Sequence, residues 1–465
     1  MTVGGWEPLS GAVHFVGIGG AGMSALALLA LGEGLKVSGS DSKSSPVLER
    51  LQTLGAEVHA GHDAGWLPED TAEVVVSTAV PADNPEVAAA RARGLPVLHR
   101  SEWLARLMAG SHGIAVAGSH GKSTTTAMVA LGLLDAGVDP TVVIGADLPA
   151  IGGNARLGKG GFVVAEADES DGSFLRLQPR IAVVTNVDDD HLDHYGSRAA
   201  VAEAFATFVR RLPADGCAIL CADDPGAAAL AGAAQAHVIR YGLDSAADVR
   251  ATDVLTQGFG SRFQVLVQGE DFGECLLSVP GRHNVVNALA AIAAGVAIGL
   301  DPRQVARSLA PFGGVGRRFE ILNPGGDPLV VDDYAHHPTE IVATLAAARA
   351  VCRGRLYAAF QPHRYSRTQL LLHAFGPAFQ AADQLIVLPI YAAGEAALPG
   401  VDARQIVDAV QAAGGPPVQF CHDFAAAEEQ LRGWLQPGDV ALVMGAGDVR
   451  RLGERLAAPA PAAAS

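Results

Sequence analysis

The stretch AVAGSHGKSTTTAMVALGL, residues 115–133, closes an apolar run on Gly118-Ser119-His120-Gly121-Lys122-Ser123 and opens a helical pattern. Residue types in that order suit phosphate. Backbone N–H groups and a helix N-terminus can hold phosphate oxygens, Lys122 can reach the outer phosphates, and the Ser123 hydroxyl can ligate Mg2+. The spacing is unusual, because the common loop is G-x-x-x-x-G-K-[ST] and here only His120 and Ser119 separate Gly118 from Gly121.

One hydroxyl cannot hold a magnesium ion alone, and two acidic clusters offer further hard oxygen ligands. VVAEADESDGS ends one apolar run with Glu166, Asp168, Glu169 and Asp171. VVTNVDDDHLDHY ends the next with Asp188, Asp189, Asp190, His191, Asp193 and His194. Ligands of open α/β sheets gather at the carboxyl ends of the strands, so these two ends and the phosphate loop predict one metal–nucleotide centre.

Near the start, Gly17-Ile18-Gly19-Gly20-Ala21-Gly22 matches G-x-G-x-x-G, with Asp41 at about the distance of a ribose-binding acid. The motif means only that a pyrophosphate can approach a glycine backbone closely. A dinucleotide and a UDP-sugar satisfy it equally. Toward the end, DDYAHHPTE (332–340) and QPHRYSRT (361–368) are dense in His, Arg and Tyr. Arg364 and Arg367 are three apart, a spacing that lets two guanidinium groups share a helix face and grip a carboxylate.

The elements that must position these groups alternate between strand and helix. VHFVGI, KVSGSD, AEVVVSTA and GLPVLHR read as strands of a first parallel sheet, and GIAVAG, GFVVAEA, RIAVVTN and CAILC as strands of a second. Between 249 and 279 the pattern changes to hairpin strands, a small antiparallel appendage. GGVGRRFEI is Gly-rich and basic, a place for a hinge, and a third alternating series follows through DPLVVDDYA, GRLYAAFQP, DQLIVLPIY and DVALVMGAG. The expectation is three α/β domains: 1–110 Rossmann-like, 111–315 P-loop ATPase-like with the appendage, and 316–465 Rossmann-like again. The final AAPAPAAAS reads as a frayed low-complexity tail.

Composition narrows the partners. The 465 residues are 49% hydrophobic with a net charge of −16, which argues against nucleic acid or an anionic membrane as partner. Anion sites must then be few and local. Five scattered cysteines (Cys217, Cys221, Cys275, Cys352, Cys421) read as buried free thiols of a reducing compartment. The apolar run at 12–32 has no basic region before it and is broken by glycines, so it reads as strand, turn and helix rather than a signal peptide. The expectation is a cytoplasmic protein without membrane insertion.

Taken in order, GIGGAGMSALA, SGSD, STAVPADNPEV, the phosphate loop, EADESDGSF, TNVDDDHLDHY, GRHNVVNALAA, RRFE, DDYAHHPTE and FQPHRYSRT make the chain resemble the ADP-forming Mur ligases of cell-wall synthesis over nearly its whole length. The short G-x-x-G-K-[ST]-T-T loop is a variant of that family, here Gly118 to Thr124 and beyond, with Ser123 where most members carry Thr. Within the family the motifs are most similar to members that add L-alanine to UDP-N-acetylmuramate. That resemblance implies an enzyme that phosphorylates the lactyl carboxylate with ATP and Mg2+, couples the acyl phosphate to L-alanine, and excludes water by domain closure. It implies that Ser123, Glu166 and His191 hold magnesium and that Lys122 contacts the transferring phosphoryl group. His283, Asn284, Asn287 and Arg317, with Arg318 beside it, would serve ATP. Gly19, Gly20, Ala21, Gly22, Asp41, Ser77 and Asn84 would serve the UDP-sugar, and Tyr334, His336, Arg364 and Arg367 the amino acid. The oligomeric state would be monomer or dimer. Alternatives are a recycling ligase that adds a tripeptide to the same UDP-sugar, a nicotinamide-dependent oxidoreductase built on the first glycines and Asp41, and a non-catalytic ATP-binding regulator.

Overall fold

Runs of Val, Ile, Leu and Ala too apolar for an exposed surface become the buried strands of three sheets. The computed structural model describes residues 10–458; the expected fraying of the AAPAPAAAS tail falls, apart from Ala457 and Ala458, outside the described residues. The chain divides into two compact units. The first takes residues up to Thr252, Gln264–Cys275 and Val286–Leu309; the second takes Asp253–Phe263, Leu276–Val285 and Ala310 onward.

Five strands open the first unit: β1 (Ala12–Val16), β2 (Val37–Asp41), β3 (Glu57–Ala60), β4 (Thr71–Val76) and β5 (Val97–His99). They pair in parallel in the order β3-β2-β1-β4-β5. All of β1 is buried. The order reverses between β1 and β4, and a crevice at such a reversal is where open α/β sheets bind ligands. The glycine run follows β1, and residues 77–84 follow β4.

The next strands are β6 (His112–Ala117), β7 (Thr141–Leu148), β8 (Gly153–Arg156), β9 (Phe162–Glu166), β10 (Ile181–Val184), β11 (Cys217–Cys221), β12 (His237–Gly242), β13 (Val249–Gln257), β14 (Gly260–Val267) and β15 (Glu270–Leu277). β6 lies between β10 and β9, parallel to both, with Val184 opposite Ala117 and Val116 opposite Glu166. The three strand ends that carry the phosphate loop and the acidic clusters are therefore neighbours in one sheet. β7 flanks β9 in parallel, and β8 closes that edge antiparallel. β13, β14 and β15 are consecutive neighbours joined by two-residue turns, the expected antiparallel appendage. The helix Lys122–Asp135 leaves β6 through the phosphate loop. Its three consecutive threonines are poor helix formers, but the helix is buried from Ser123 to Ala130, and Thr126 Oγ1 returns a 2.8 Å bond to Lys122 O.

The second unit holds β16 (Glu320–Ile321), β17 (Leu329–Asp333), β18 (Leu356–Phe360), β19 (Gln384–Val387), β20 (Val418–Phe420) and β21 (Val440–Met444), in the order β16-β17-β21-β18-β19-β20. β16 is antiparallel and the rest are parallel. Leu356, Ala358 and Phe360 enter one apolar core, and Tyr357 and Ala359 the other. That two-sided burial marks a parallel sheet covered by helices on both faces. Cys217, Cys221, Cys275 and Cys421 are buried and Cys352 half-buried, all of them free thiols. No helix among the described residues is long and apolar enough to cross a membrane.

Candidate active site

The shortened loop is shaped by two glycines and tied to the end of β10. Gly118 has φ +136° and Gly121 φ +80°, conformations that L side chains rarely adopt. A Cβ on Gly118 would overlap Thr185 Oγ1, and one on Gly121 would stand 2.9 Å from Asn287 Oδ1. Thr185 Oγ1 donates to His120 O at 2.6 Å, Asn186 Nδ2 donates to the same carbonyl at 3.0 Å, and His120 N donates to Asn186 Oδ1 at 2.8 Å. Ser119 Oγ accepts from Asp188 N at 2.9 Å, and His120 Nε2 is 2.9 Å from Asp188 Oδ2. Asn287, buried, packs at the start of the loop helix and accepts from Thr125 Oγ1 at 3.1 Å.

Lys122 curls back over this loop. Its Nζ donates to Gly118 O at 2.8 Å, to Ser119 O at 3.3 Å and to Glu169 Oε1 at 2.8 Å. Burial alone would lower the ammonium pKa, but Glu169, Asp168 and Glu166 outweigh it and hold the proton on. Glu169 is nearly sealed from solvent, its Oε1 lies 3.4 Å from His191 Nε2, and its Oε2 has no hydrogen-bond partner among the described residues. His191 adopts φ +56° and is also 3.5 Å from Asp190 Oδ2. Glu166, at the end of β9, accepts from Gly145 N through Oε2 at 2.7 Å. Ser123 and Thr124 are buried on the first turn of the loop helix. Lys122, Glu169 and His191 thus form one contiguous cluster. Glu169 was visible in the EADES run, but nothing in the sequence singles it out from its acidic neighbours.

In the first sheet, Gly17 N and Ile18 N both donate to Ser40 O, and Gly19 N donates to Asp41 Oδ2 at 2.9 Å. Gly20 caps the helix Ala21–Gly32 without a side chain, leaving the approach to its N-terminus open. Ser77 Oγ faces Gly17. Asn84 is turned inward: it is buried, and its Oδ1 caps the helix Pro85–Ala92 by accepting from Glu86 N and Val87 N at 3.0 and 3.3 Å.

The remaining candidates belong to the second unit. Arg317, at φ +59°, donates to Asp332 Oδ2 at 3.3 Å and to Gly445 O at 2.7 Å, and its guanidinium lies 4.9 Å from the Tyr334 ring centroid. Arg318 covers the same ring at 5.1 Å. His336 packs edge-on against Tyr334 and lies 5.7 Å from the His363 ring, and His363 Nδ1 is 3.2 Å from Arg367 Nη1. Arg364, at φ +70°, immediately precedes the short helix Tyr365–Leu370 that carries Arg367. Tyr334, His336, His363 and Arg367 therefore line one continuous polar surface. At the other end of the unit's chain path His283 is exposed, while Asn284 is buried and donates to Pro280 O at 2.7 Å.

Comparison with known proteins matches this architecture segment by segment. Models of the Mur ligase family match three consecutive parts: the catalytic domain at residues 12–112, the middle domain at 116–295 and the glutamate ligase domain at 317–447. The UDP-N-acetylmuramate–L-alanine ligase of Syntrophotalea carbinolica is 49% identical over 96% of this chain and 97% of its own; that of Desulforamulus reducens is 48% identical over 96% of each. Among solved structures, the UDP-N-acetylmuramate–alanine ligase of Thermotoga maritima superposes with a TM-score of 0.81 at 31% identity, covering 96% of this chain and 98% of that one. A murein peptide ligase from Psychrobacter arcticus gives 0.72 at 28% identity, covering 96% and 98%. A likeness this long, carried through all three α/β layers in order, places the chain in the Mur ligase family.

Proposed function

We propose that the chain joins L-alanine to the lactyl carboxylate of UDP-N-acetylmuramate, with conversion of ATP to ADP and phosphate, as a step in peptidoglycan precursor synthesis. The observation that carries the reaction type is Lys122, a protonated amine held between phosphate-loop carbonyls and Glu169. The choice of substrates follows relatives 48–49% identical over almost the full chain that bear this activity in their names, a closer likeness than that to the murein peptide ligase. Domain limits near 110 and 315, a cytoplasmic location and a monomer or dimer complete the reading.

The chemistry is two displacements. A carboxylate oxygen of the sugar attacks the γ-phosphorus and ADP leaves, giving an acyl phosphate. The neutral amine of alanine then attacks the carbonyl carbon, a proton is lost, and phosphate departs as the amide forms. In the first displacement Lys122 offsets negative charge on the phosphoryl oxygens, and the loop amides hold the phosphates in line. Glu169 keeps the ammonium protonated and aimed. The glycines after β1 receive the diphosphate, with Asp41 and Ser77 beside them, while Asn84, its Oδ1 spent on a helix cap, shapes the loop after β4. Asn287 and the second unit's His283, Asn284 and Arg317 serve ATP, and Tyr334, His336, Arg364 and Arg367 take the amino acid.

Magnesium fits the donor set. Glu169 Oε2 is a buried carboxylate oxygen without a hydrogen-bond partner among the described residues, and the Ser123 hydroxyl, Glu166 and His191 are the further ligands we assign to the ion. Bound there, the ion would supply positive charge against the phosphate oxygens of ATP. Phosphate release tests the whole reading. Release from ATP and Mg2+ should require UDP-N-acetylmuramate and be fastest with L-alanine among L-alanine, glycine, L-serine and the L-Ala-D-Glu-diamino acid tripeptide. Release with the tripeptide alone would move the chain to the recycling ligases; none with any acceptor would leave a nucleotide-binding protein without ligase activity.

A further inference from the structure

Arg100 opens the helix Arg100–Met108 directly after β5, and no motif of the sequence pointed to it. Its side chain is only 20% exposed. Nη2 donates to Asp168 Oδ2 at 2.7 Å and lies 3.7 Å from Asp171 Oδ2. Nη1 faces the other way, 3.5 Å from the point where a Cβ on Gly22 would stand. Nη1 and Nε make no hydrogen bond to any described residue. The engaged edge fixes the orientation of the guanidinium, and the remaining donors reach solvent, ready for a ligand to take in place of water.

The surroundings say what that ligand is. Gly22 ends the glycine run, and Gly20 leaves the N-terminus of the helix Ala21–Gly32 open. Asn154, from β8, holds that turn by donating to Ala21 O at 2.7 Å. On the opposite side Asp168 lies in the same turn as Glu169, the carboxylate that holds the Lys122 ammonium at 2.8 Å. Thr78, after β4, donates to Asp171 Oδ2 at 2.5 Å. Arg100 therefore stands between the glycine loop and the acid beside the phosphate-loop lysine, with its engaged edge toward the acid and its unspent edge toward the loop.

We propose that Arg100 is an anion clamp for the nucleotide-sugar: Asp168 and Asp171 fix one edge of its guanidinium, and the edge over Gly22 binds an anionic oxygen of the ligand, from its diphosphate or from its carboxylate. The inference rests on the proposed function and adds a substrate-binding residue to it. A Cβ at position 22 would lie in van der Waals contact with Nη1 at 3.5 Å, covering the ligand-facing edge without displacing the guanidinium. Lysine could reach either the acid or the ligand but lacks the fork to hold both.

Calorimetric titration of the full chain with UDP, UDP-N-acetylglucosamine, UDP-N-acetylmuramate and ATP tests it, using wild type, Arg100→Ala, Arg100→Lys and Gly22→Ala. Arg100→Ala should weaken the muramate compound roughly 10- to 100-fold, with ATP affinity within about twofold; Arg100→Lys should lie between. Gly22→Ala should show the same selectivity with the Arg100–Asp168 pair intact. A loss shared by UDP assigns the clamp to the diphosphate, and a loss confined to UDP-N-acetylmuramate assigns it to the carboxylate. Unchanged affinity of Arg100→Ala for all three uridine compounds overturns the clamp alone. So does a loss that falls equally on ATP, the mark of a merely structural bridge. A wild type that bound no uridine compound would overturn the functional reading and the clamp with it.

Discussion

Lys122 Nζ and Glu169 Oε1 stand 2.8 Å apart, and the second oxygen of that carboxylate has no hydrogen-bond partner among the described residues. A buried carboxylate with one oxygen on an ammonium and the other unspent is a poor structural device, because half of its hydrogen-bonding capacity is wasted. It is a good functional one, able to restrain the lysine while keeping an oxygen for a cation. Lys122→Ala should lower kcat for ligation at least ~100-fold, the scale of losing one charge-stabilising donor. The far-ultraviolet circular dichroism should be unchanged. The melting temperature should fall, since Glu169 would keep only His191 near its charge. Near-normal turnover would remove Lys122 from the phosphoryl-transfer step.

Much of the fold was legible because its strands are buried on both faces and read as unbroken apolar runs. β1, β6, β9, β10, β17, β18, β19 and β21 all fall on such runs. The strands that escaped notice carry weaker signals. β3 (EVHA), β8 (GNAR) and β20 (VQF) are short edge or near-edge segments mixing polar and apolar residues, and β16 is two residues long. β7 (TVVIGADL) loses its apolar run after four residues, and β12 (HVIRYG) mixes polar and apolar residues. For the site, the sequence showed which strand ends carry chemistry, since loops after parallel strands must lie on one edge. It did not show which acid faces which base. Glu166, Asp168, Glu169 and Asp171 differ only in where one tight turn points them, and Arg100 follows a strand of another sheet.

Glu166 offers a test of the metal ligands that separates charge from packing. Its Oε2 accepts from Gly145 N at 2.7 Å, so Glu166→Ala removes both a candidate ligand and a tether between β7 and β9. Glu166→Gln can keep the tether through its amide oxygen while losing the negative charge. Both variants should need at least ~10-fold more Mg2+ for half-maximal phosphate release, because hard cations depend on charged oxygen ligands. Only the alanine variant should lose thermal stability as well. A glutamine variant with the wild-type Mg2+ response would move the site away from Glu166.

Asp333 ties the second unit's stability to pH. It is 7% exposed, and burial raises its carboxyl from 3.8 to about 6 despite the charge of Arg318 and the amides of Ala335 and Phe319. A raised folded-state pKa means that burial penalises the charged form by more than Arg318 and the two amides offset. Its stabilising contribution is present below pH ~4 and is lost as pH rises through about 6, a change on the order of 3 kcal/mol. Denaturant unfolding monitored in the second unit should show this slope. Asp333→Asn should flatten it, at a lower baseline of about 1–3 kcal/mol because one oxygen cannot satisfy both amides. Identical slopes in the two proteins between pH 4 and 6 would dismiss Asp333 as the titrating group.

Arg364 separates an amino-acid clamp from a backbone requirement. Its φ of +70° with ψ of +143° lies in a region that is costly for every residue but glycine, by about 1–3 kcal/mol. An arginine kept there calls for a reason in its side chain. Arg364→Gly should relieve the backbone and hold or raise the melting temperature, while the KM for L-alanine rises at least ~10-fold and that for ATP stays within about twofold. Arg367→Ala, on the following helix where φ is ordinary, should show the same KM selectivity without any gain in stability. If Arg364→Gly leaves the alanine KM untouched, the side chain does not bind substrate. If both substrates weaken together, the strained turn shapes the fold rather than the amino-acid site.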